Sequence, residues 1–359
     1  MKALVTNRNI ASRLINMACG KAICGPGAHV VEVAKPTISD NEILVKVKAV
    51  ALNPTDFKNI DAFSPPGSVV GCDYAGQVAQ VGANAASRWK IGDRVAGLVH
   101  GGISSDRGAF AEFLKTDADL AWHVPDEMSD AEASTYGISA VTAMLSLNLR
   151  LNLPWANESE TPVSPAGEGI FIYGGSTSAG LSHIQLAKAI GYTVITTASP
   201  RSFDLVKAYG ADAVFDYHSP SVAQEIAKGY SSIGHAVDCY SEGMSTAICA
   251  QVIKNKGGKV VTLLPTGKSK TAGVEYDWVV AYTLFGRSFQ ILPPLGPKFE
   301  ANVEDRKGLA RFYATLPKLV PALRPPPITV SEGGFEDLLD GLDKLRQHKV
   351  SGGKLVVMF

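Results

Sequence analysis

The chain has 359 residues, more than one hydrophobic core comfortably serves, so two domains are expected. Lys plus Arg and Asp plus Glu both number 34, and the resulting net charge of zero argues against a nucleic-acid or polyanionic partner. No run approaches the ~18 apolar residues of a membrane span. The start Met1-Lys2-Ala3-Leu4-Val5-Thr6 carries no signal-peptide core, so no membrane association and a cytoplasmic location are expected. Cys19, Cys24, Cys72, Cys239 and Cys249 fall at no disulfide or metal spacing and read as reduced thiols.

Up to residue 130 the texture is short strands broken by glycine and proline, at 30–33, 42–52, 77–81, 94–98 and 110–114, which predicts a β-rich domain. Residues 131–149 read as a helix, and the polar, proline-containing 151–168 as a domain linker. Ile170, Phe171 and Ile172 then form a buried strand running into Gly174-Gly175-Ser176-Thr177-Ser178-Ala179-Gly180. A helix follows, marked by Leu181, Ile184, Ala187 and Ile190, with Gly191 as its stop. The N–H groups of such a helix start, with the helix dipole, suit a pyrophosphate. Gly175, Ser176, Thr177, Ser178 and Gly180 are therefore candidate cofactor contacts. The match to G-x-G-x-x-G is partial, because Thr177 stands where the second glycine belongs.

Strand and helix patterns then alternate, with strands at 192–197, 213–215, 235–239 and 259–264 and helices at 203–209, 222–228 and 244–253. Five apolar runs joined by helices predict a doubly wound parallel sheet with its ligand at the strands' carboxyl ends. The second strand ends Thr196-Thr197-Ala198-Ser199-Pro200-Arg201-Ser202, with no acid before Asp204. A carboxylate there would hold the ribose hydroxyl of NADH. Its absence, with Ser199 and Arg201 as donors, favours the 2′-phosphate of NADPH, the alternative being that Arg201 is a solvated loop charge. Pro293-Pro294-Leu295-Gly296-Pro297 breaks the alternation, 309–320 and 335–347 read as helices, and 354–358 as a closing strand. The expected fold class is α/β: residues 1–160 and 293–359 form a β-rich domain, and 161–292 a dinucleotide-binding domain.

Asn53-Pro54-Thr55-Asp56, Gly71-Cys72-Asp73-Tyr74-Ala75-Gly76 and the closing Ser351-Gly352-Gly353-Lys354-Leu355-Val356-Val357 resemble the medium-chain dehydrogenase/reductase superfamily over essentially the whole chain. The narrower words are Asn53-Pro54-Thr55-Asp56-x-Lys58, Gly137-Ile138-Ser139, Tyr173-Gly174-Gly175-Ser176-Thr177, Ser199-Pro200-x-x-Phe203-Asp204-Leu205, Phe215-Asp216-Tyr217 and Gly333-Gly334-Phe335. Together they are similar to the metal-free branch, and within it to fungal trans-acting enoyl reductases of polyketide synthases. The resemblance implies a GroES-like catalytic domain and a Rossmann cofactor domain. Zinc enzymes of the superfamily ligate their metal with two cysteines and a histidine, and this chain has Asn53, Cys72 and Gly137 there. One thiol cannot make the three-ligand catalytic site, so no metal is expected.

The implied reaction is NADPH-dependent reduction of the α,β-double bond of a thioester-tethered polyketide intermediate. That intermediate would be carried on an acyl carrier protein of a separate polyketide synthase and reduced by a monomeric enzyme. The cofactor supplies the hydride, and the protein must supply donors for the thioester oxygen and a dry pocket. The resemblance places Lys58 beside the cofactor, as a catalytic or a ribose-orienting group. Asn53 and Thr55 offer uncharged donors toward the carbonyl, or else cap a helix. Tyr217 either flanks the 2′-phosphate or is a buried aromatic. Leu264 is placed against the nicotinamide and Lys354 near the cofactor's open end. Where the family has a threonine near the nicotinamide this chain has Ala140, leaving Ser139 or Thr142 as substitutes. Phe285 and Phe289, with Ile291, Leu292 and Leu295, would line an open channel for a long acyl chain. The competing readings are a free-standing quinone or enone reductase on small substrates and a non-catalytic nucleotide-binding protein of the same fold.

Overall fold

The computed structural model describes residues 1–156 and 168–359, so most of the expected linker, and the expected boundary at residue 160, lie outside the described residues. The first domain is organised on the strand Glu42–Ala51, which is covered by protein along nearly its whole length. It pairs antiparallel with Asp73–Val81, Phe113–Asp117 and Lys354–Met358. Arg94–Leu98 and Ala121–His123 extend the sheet on one side and Ile328–Ser331 on the other, giving seven strands. The chain's last strand thus returns to the first domain, with Val356 opposite Ala51.

The second sheet has six parallel strands in the order Ala213–Asp216, Thr193–Ala198, Gly169–Tyr173, His235–Asp238, Gly258–Thr262 and Val274–Trp278. Strand order reverses between Gly169–Tyr173 and His235–Asp238, which opens a crevice at their carboxyl ends. Leu181, Ile184, Ala187 and Ile190 are all buried, as their helical spacing requires. The sixth strand, Val-Glu-Tyr-Asp-Trp, gives no apolar run because it sits at the sheet edge and is only partly covered.

Two helical segments also differ from the sequence reading. The expected helix at 131–149 is broken at Gly137, whose ψ of −115° is not helical. It becomes Asp130–Ala133, a short turn Ser134–Tyr136, and Ile138–Met144 continuing into the wider-wound Leu145–Arg150. The break is made by the Asp73 carboxylate, which would lie 2.1 Å from any Cβ at Gly137. A helix at Ile10–Cys19, capped by Asn9, was not among the expected elements.

Candidate active site

The strand Gly169–Tyr173 ends in a turn that needs three glycines for three reasons. Gly174 has φ of +76°, a left-handed conformation that side chains disfavour. A Cβ on Gly175 would lie 2.2 Å from Thr196 Oγ1, and one on Gly180 would lie 2.4 Å from the Gly174 carbonyl oxygen. The helix Ser178–Ala189 therefore starts in contact with the turn itself. Thr177 is its N-cap: Oγ1 accepts from the Gly180 N–H and donates to the Gly174 carbonyl, both at 2.9 Å. The hydroxyl ties the two ends of the turn together, so the departure from the glycine fingerprint strengthens the cradle. A backbone cradle with no room for a side chain fits a dinucleotide's pyrophosphate.

Parallel pairing of Asp216 with Ala198 carries Tyr217 to the end of the second strand, next to Ser199. Tyr217 is 38% exposed, so it is not a buried aromatic. Arg201 is exposed on the turn Pro200–Ser202, its Nη2 3.3 Å from Ser351 Oγ. Ser199, Arg201 and Tyr217 thus share one rim of the crevice, beyond the Gly174–Gly180 turn. Leu264 is partly buried just after the strand Gly258–Thr262, and the neighbouring Leu263 N–H donates to Ser241 Oγ at 2.8 Å.

On the catalytic domain, Asn53 opens the short helix Pro54–Lys58. Lys58 reaches Glu242 of the nucleotide domain at 3.6 Å and keeps about a third of its side chain exposed, so an ion pair spans the crevice. Thr55 Oγ1 lies 2.9 Å from the Tyr282 hydroxyl, which also accepts from Asn59 Nδ2 at 3.0 Å and sits 3.5 Å from Cys72 Sγ. Burial pushes the Tyr282 hydroxyl pKa well up, and it pushes the Cys72 thiol up as well, reinforced by the Asp56 carboxyl. Both stay protonated, so Cys72 is a packed thiol and Tyr282 a neutral donor. Burial, with Asp73 close by, raises the Asp56 carboxyl to about 7.

Three of the expected site residues have other work. Lys354 is fully buried, and its ammonium donates to Asn53 Oδ1 at 2.9 Å, Asp73 Oδ2 at 2.8 Å and Ser139 Oγ at 3.1 Å. The Asn53 amide in turn donates to Asp73 Oδ2 at 2.9 Å and the Ala51 carbonyl at 3.2 Å. Asp73 Oδ1 accepts from the Ile138 N–H at 2.7 Å. An ammonium has three protons and a side-chain amide two, so Lys354 and Asn53 have no donor left for a cofactor or a thioester. This corrects the expectations for Lys354 at the cofactor's open end and Asn53 at the carbonyl, and Ser139, which accepts from Lys354 and is buried, does not face a substrate pocket. A buried charge survives only when paired and hydrogen-bonded, and this network meets that condition. Of the uncharged donors, only Thr55 keeps a partly exposed side chain.

The network also engages two of the three positions at which the resemblance puts metal ligands, with the Asp73 carboxylate against Gly137 and the Asn53 amide donating to Asp73. Among the described residues no group of three or more His, Cys, Asp or Glu side chains is placed to hold a metal ion. Phe285 and Phe289 line a cavity of about 520 Å³ with His100, Ile103, Leu120 and Arg287, but Ile291, Leu292 and Leu295 do not reach it. His100 stacks on Tyr282 at 3.8 Å, linking the cavity wall to Thr55. Burial, with Arg287 adding to it, lowers the His100 pKa to about 3, so His100 is neutral, while Glu42, Asp106, Arg107, Asp117 and Arg287 give the rest of the cavity charged lining. Tyr282, Asn59, Asp73 and Glu242 were not found by sequence reasoning. Tyr282 sits in a short apolar stretch with no spacing signal, and only the fold brings it to Thr55.

Residues 39–126 match the alcohol dehydrogenase GroES-like domain and 179–286 the zinc-binding dehydrogenase domain. The trans-enoyl reductase thnE of Trichoderma harzianum is 35% identical over 349 residues, covering 92% of this chain and 94% of that protein. The trans-enoyl reductase resD of Aspergillus sclerotiorum is 38% identical over 348 residues, covering 92% and 97%. The chain belongs to the trans-enoyl reductase family of medium-chain dehydrogenases/reductases. Among solved structures, the CurK enoyl reductase superposes with a TM-score of 0.73 at 20% identity, covering 99% of both chains. An alcohol dehydrogenase superfamily protein from Novosphingobium aromaticivorans gives 0.73 at 23%, covering 100% and 99%. These two show that this trans-enoyl reductase family member has the two-domain α/β fold of the superfamily.

Proposed function

We propose that the protein is a cytoplasmic, monomeric, NADPH-dependent enoyl reductase acting on the α,β-double bond of acyl chains that a separate polyketide synthase carries as thioesters. The observation that carries this reading is the full-length relationship to trans-enoyl reductases at 35–38% identity. The turn at Gly174–Gly180 would hold the pyrophosphate, Ser199, Arg201 and Tyr217 the 2′-phosphate, and Leu264 the nicotinamide face. The bound cofactor supplies the hydride for the β-carbon, and a proton completes the α-carbon.

The chain's own contribution is a row of neutral donors. Asn59 donates to the Tyr282 hydroxyl, and with the Tyr282 proton directed to Thr55 the Thr55 proton would be free for the thioester oxygen where charge builds up. The Lys58 ammonium, exchanging Glu242 for the ribose, orients the cofactor and balances that charge. Phe285 and Phe289 would give the acyl chain apolar contact at one side of a cavity whose remaining lining is largely polar.

The test is turnover with NADPH and enoyl thioesters on carrier protein or N-acetylcysteamine, using cofactor deuterated at C4. Deuterium should arrive at the β-carbon, and Lys58→Ala should reduce turnover by about 10- to 1000-fold. Carrier-bound chains should react better than short mimics, because remote binding energy helps position the reacting atoms. Brisk oxidation of NADPH by simple quinones, with every enoyl thioester left untouched, would establish a quinone reductase instead.

A further inference from the structure

The helix Ile10–Cys19 is inverted. Its only buried side chains are Arg13 and Asn16, whereas Ile10, Leu14, Ile15 and Met17 are 37–47% exposed. At about 100° per residue, Ser12, Arg13 and Asn16 share one narrow polar arc, and all the apolar positions fall outside it. The polar arc is the docking face. Arg13 donates to the carbonyls of Ser64 at 3.0 Å and Pro293 at 2.6 Å, and Asn16 Nδ2 donates to the Asp61 carbonyl at 2.9 Å. Asn16 Oδ1 accepts from the Ile23 N–H at 3.0 Å, which sets Ile23, itself 52% exposed, beside the helix. The arrangement has a cost on this chain alone, since Arg13 Nε is buried with no hydrogen-bond partner. A fold that buries a guanidinium and presents isoleucine, leucine and methionine to water is keeping those side chains for a partner.

Size and charge select the partner. Five side chains exposed by 37–52% leave a patch of a few hundred Å², below the roughly 800 Å² per side of a standard stable interface. That argues against a permanent dimer of this chain and for docking that must release. A membrane-surface helix would carry outward Lys or Arg, and here the helix's one cation is turned inward. Exposed apolar side chains at i, i+4 and i+7, Ile10, Leu14 and Met17, are the anchors of a helix lying in an apolar groove. We propose that this face docks into an apolar groove on the separate synthase that carries the enoyl chain. The proposal rests on the trans-acting reading above.

The double variant Leu14→Glu/Met17→Glu changes only exposed positions, so the fold and the crevice are left intact. The probes are the purified synthase loaded with an unsaturated chain and an N-acetylcysteamine enoyl thioester. Two charges placed in an apolar groove should weaken binding to the synthase, and turnover of its chain, by about tenfold or more. Turnover of the small thioester should stay within about twofold, and Leu14→Met should behave as the unmutated protein on both probes. Equal binding of the synthase by variant and parent overturns the proposal. So does an unmutated dimer that the variant makes monomeric, or binding to anionic phospholipid vesicles that the variant abolishes. If neither thioester is reduced, the functional reading fails, and the synthase-binding comparison still decides the docking face.

Discussion

Gly180→Ala is the sharpest probe of the cofactor turn. The added methyl would lie 2.4 Å from the Gly174 carbonyl oxygen and 2.7 Å from the Gly175 Cα, against an ordinary contact of 3.4 Å or more. Both neighbours are backbone, so no rotamer can relieve the clash, and the turn must move from the helix by about 1 Å. Overpacking of this kind costs about 1–3 kcal/mol in stability. The same shift displaces the amides that meet the pyrophosphate, and each charge-assisted hydrogen bond contributes about 1.5–3 kcal/mol. Loss of one such bond weakens cofactor binding by about 10- to 100-fold, while Thr55 and Tyr282 are untouched. NADPH titration by quenching of tryptophan fluorescence, with a melting curve of the same sample, reads both effects. A variant that binds NADPH within twofold of the unmutated protein would refute the placement of the pyrophosphate at this turn.

Three further outcomes are expected. Arg201→Ala should weaken NADPH by about 1–3 kcal/mol and leave NADH nearly unchanged, since only the 2′-phosphate meets the guanidinium; equal affinities for both cofactors before mutation would contradict this. Tyr282→Phe removes the hydroxyl between Asn59 and Thr55 and should cut enoyl thioester turnover by about tenfold while NADPH affinity holds. Combining it with Thr55→Val should add little, and fully additive losses would show that the two hydroxyls act apart. For Asp56 the folded-state pKa is raised, from 3.8 to about 7, so the folded chain holds a proton that the unfolded chain releases. Its contribution to stability is complete below pH 4 and lost as pH rises to 7. Asp56→Asn should therefore flatten the fall in melting temperature across that window, and an unchanged slope would exclude Asp56 as its source.

The nucleotide-binding half was legible because its signals are local. The buried strand before Gly174, the apolar spacing of Leu181, Ile184, Ala187 and Ile190, and the glycine turn all act within one strand–turn–helix unit. The closing strand Lys354–Met358 was legible for the same reason, as an apolar run between turn residues. Even Thr177, which spoiled the glycine pattern, sits where an N-cap is expected. The edge strand Val274–Trp278 escaped notice because half-exposed strands carry no continuous apolar run, whereas the helix Ile10–Cys19 was missed although its Asn9 cap and amphipathic spacing are local signals.

The catalytic side was decided by tertiary structure. Asn53, Lys354 and Ser139 are separated by up to 301 residues along the chain, and nothing near any of them shows that they share one buried network with Asp73. Taken singly, each residue type is a plausible site donor. Only the fold reveals that the protons of Lys354 and Asn53 are spent inside the protein, that Ser139 is buried and accepts from Lys354, and that Tyr282, 227 residues from Thr55, completes the hydroxyl pair. The sequence alone determined the family, through the resemblance of its motifs, and the two-domain α/β class and the glycine turn, through short-range periodicity and turn residues. Which polar side chains remain free for chemistry depends on long-range pairing and desolvation, and only the folded structure settles that.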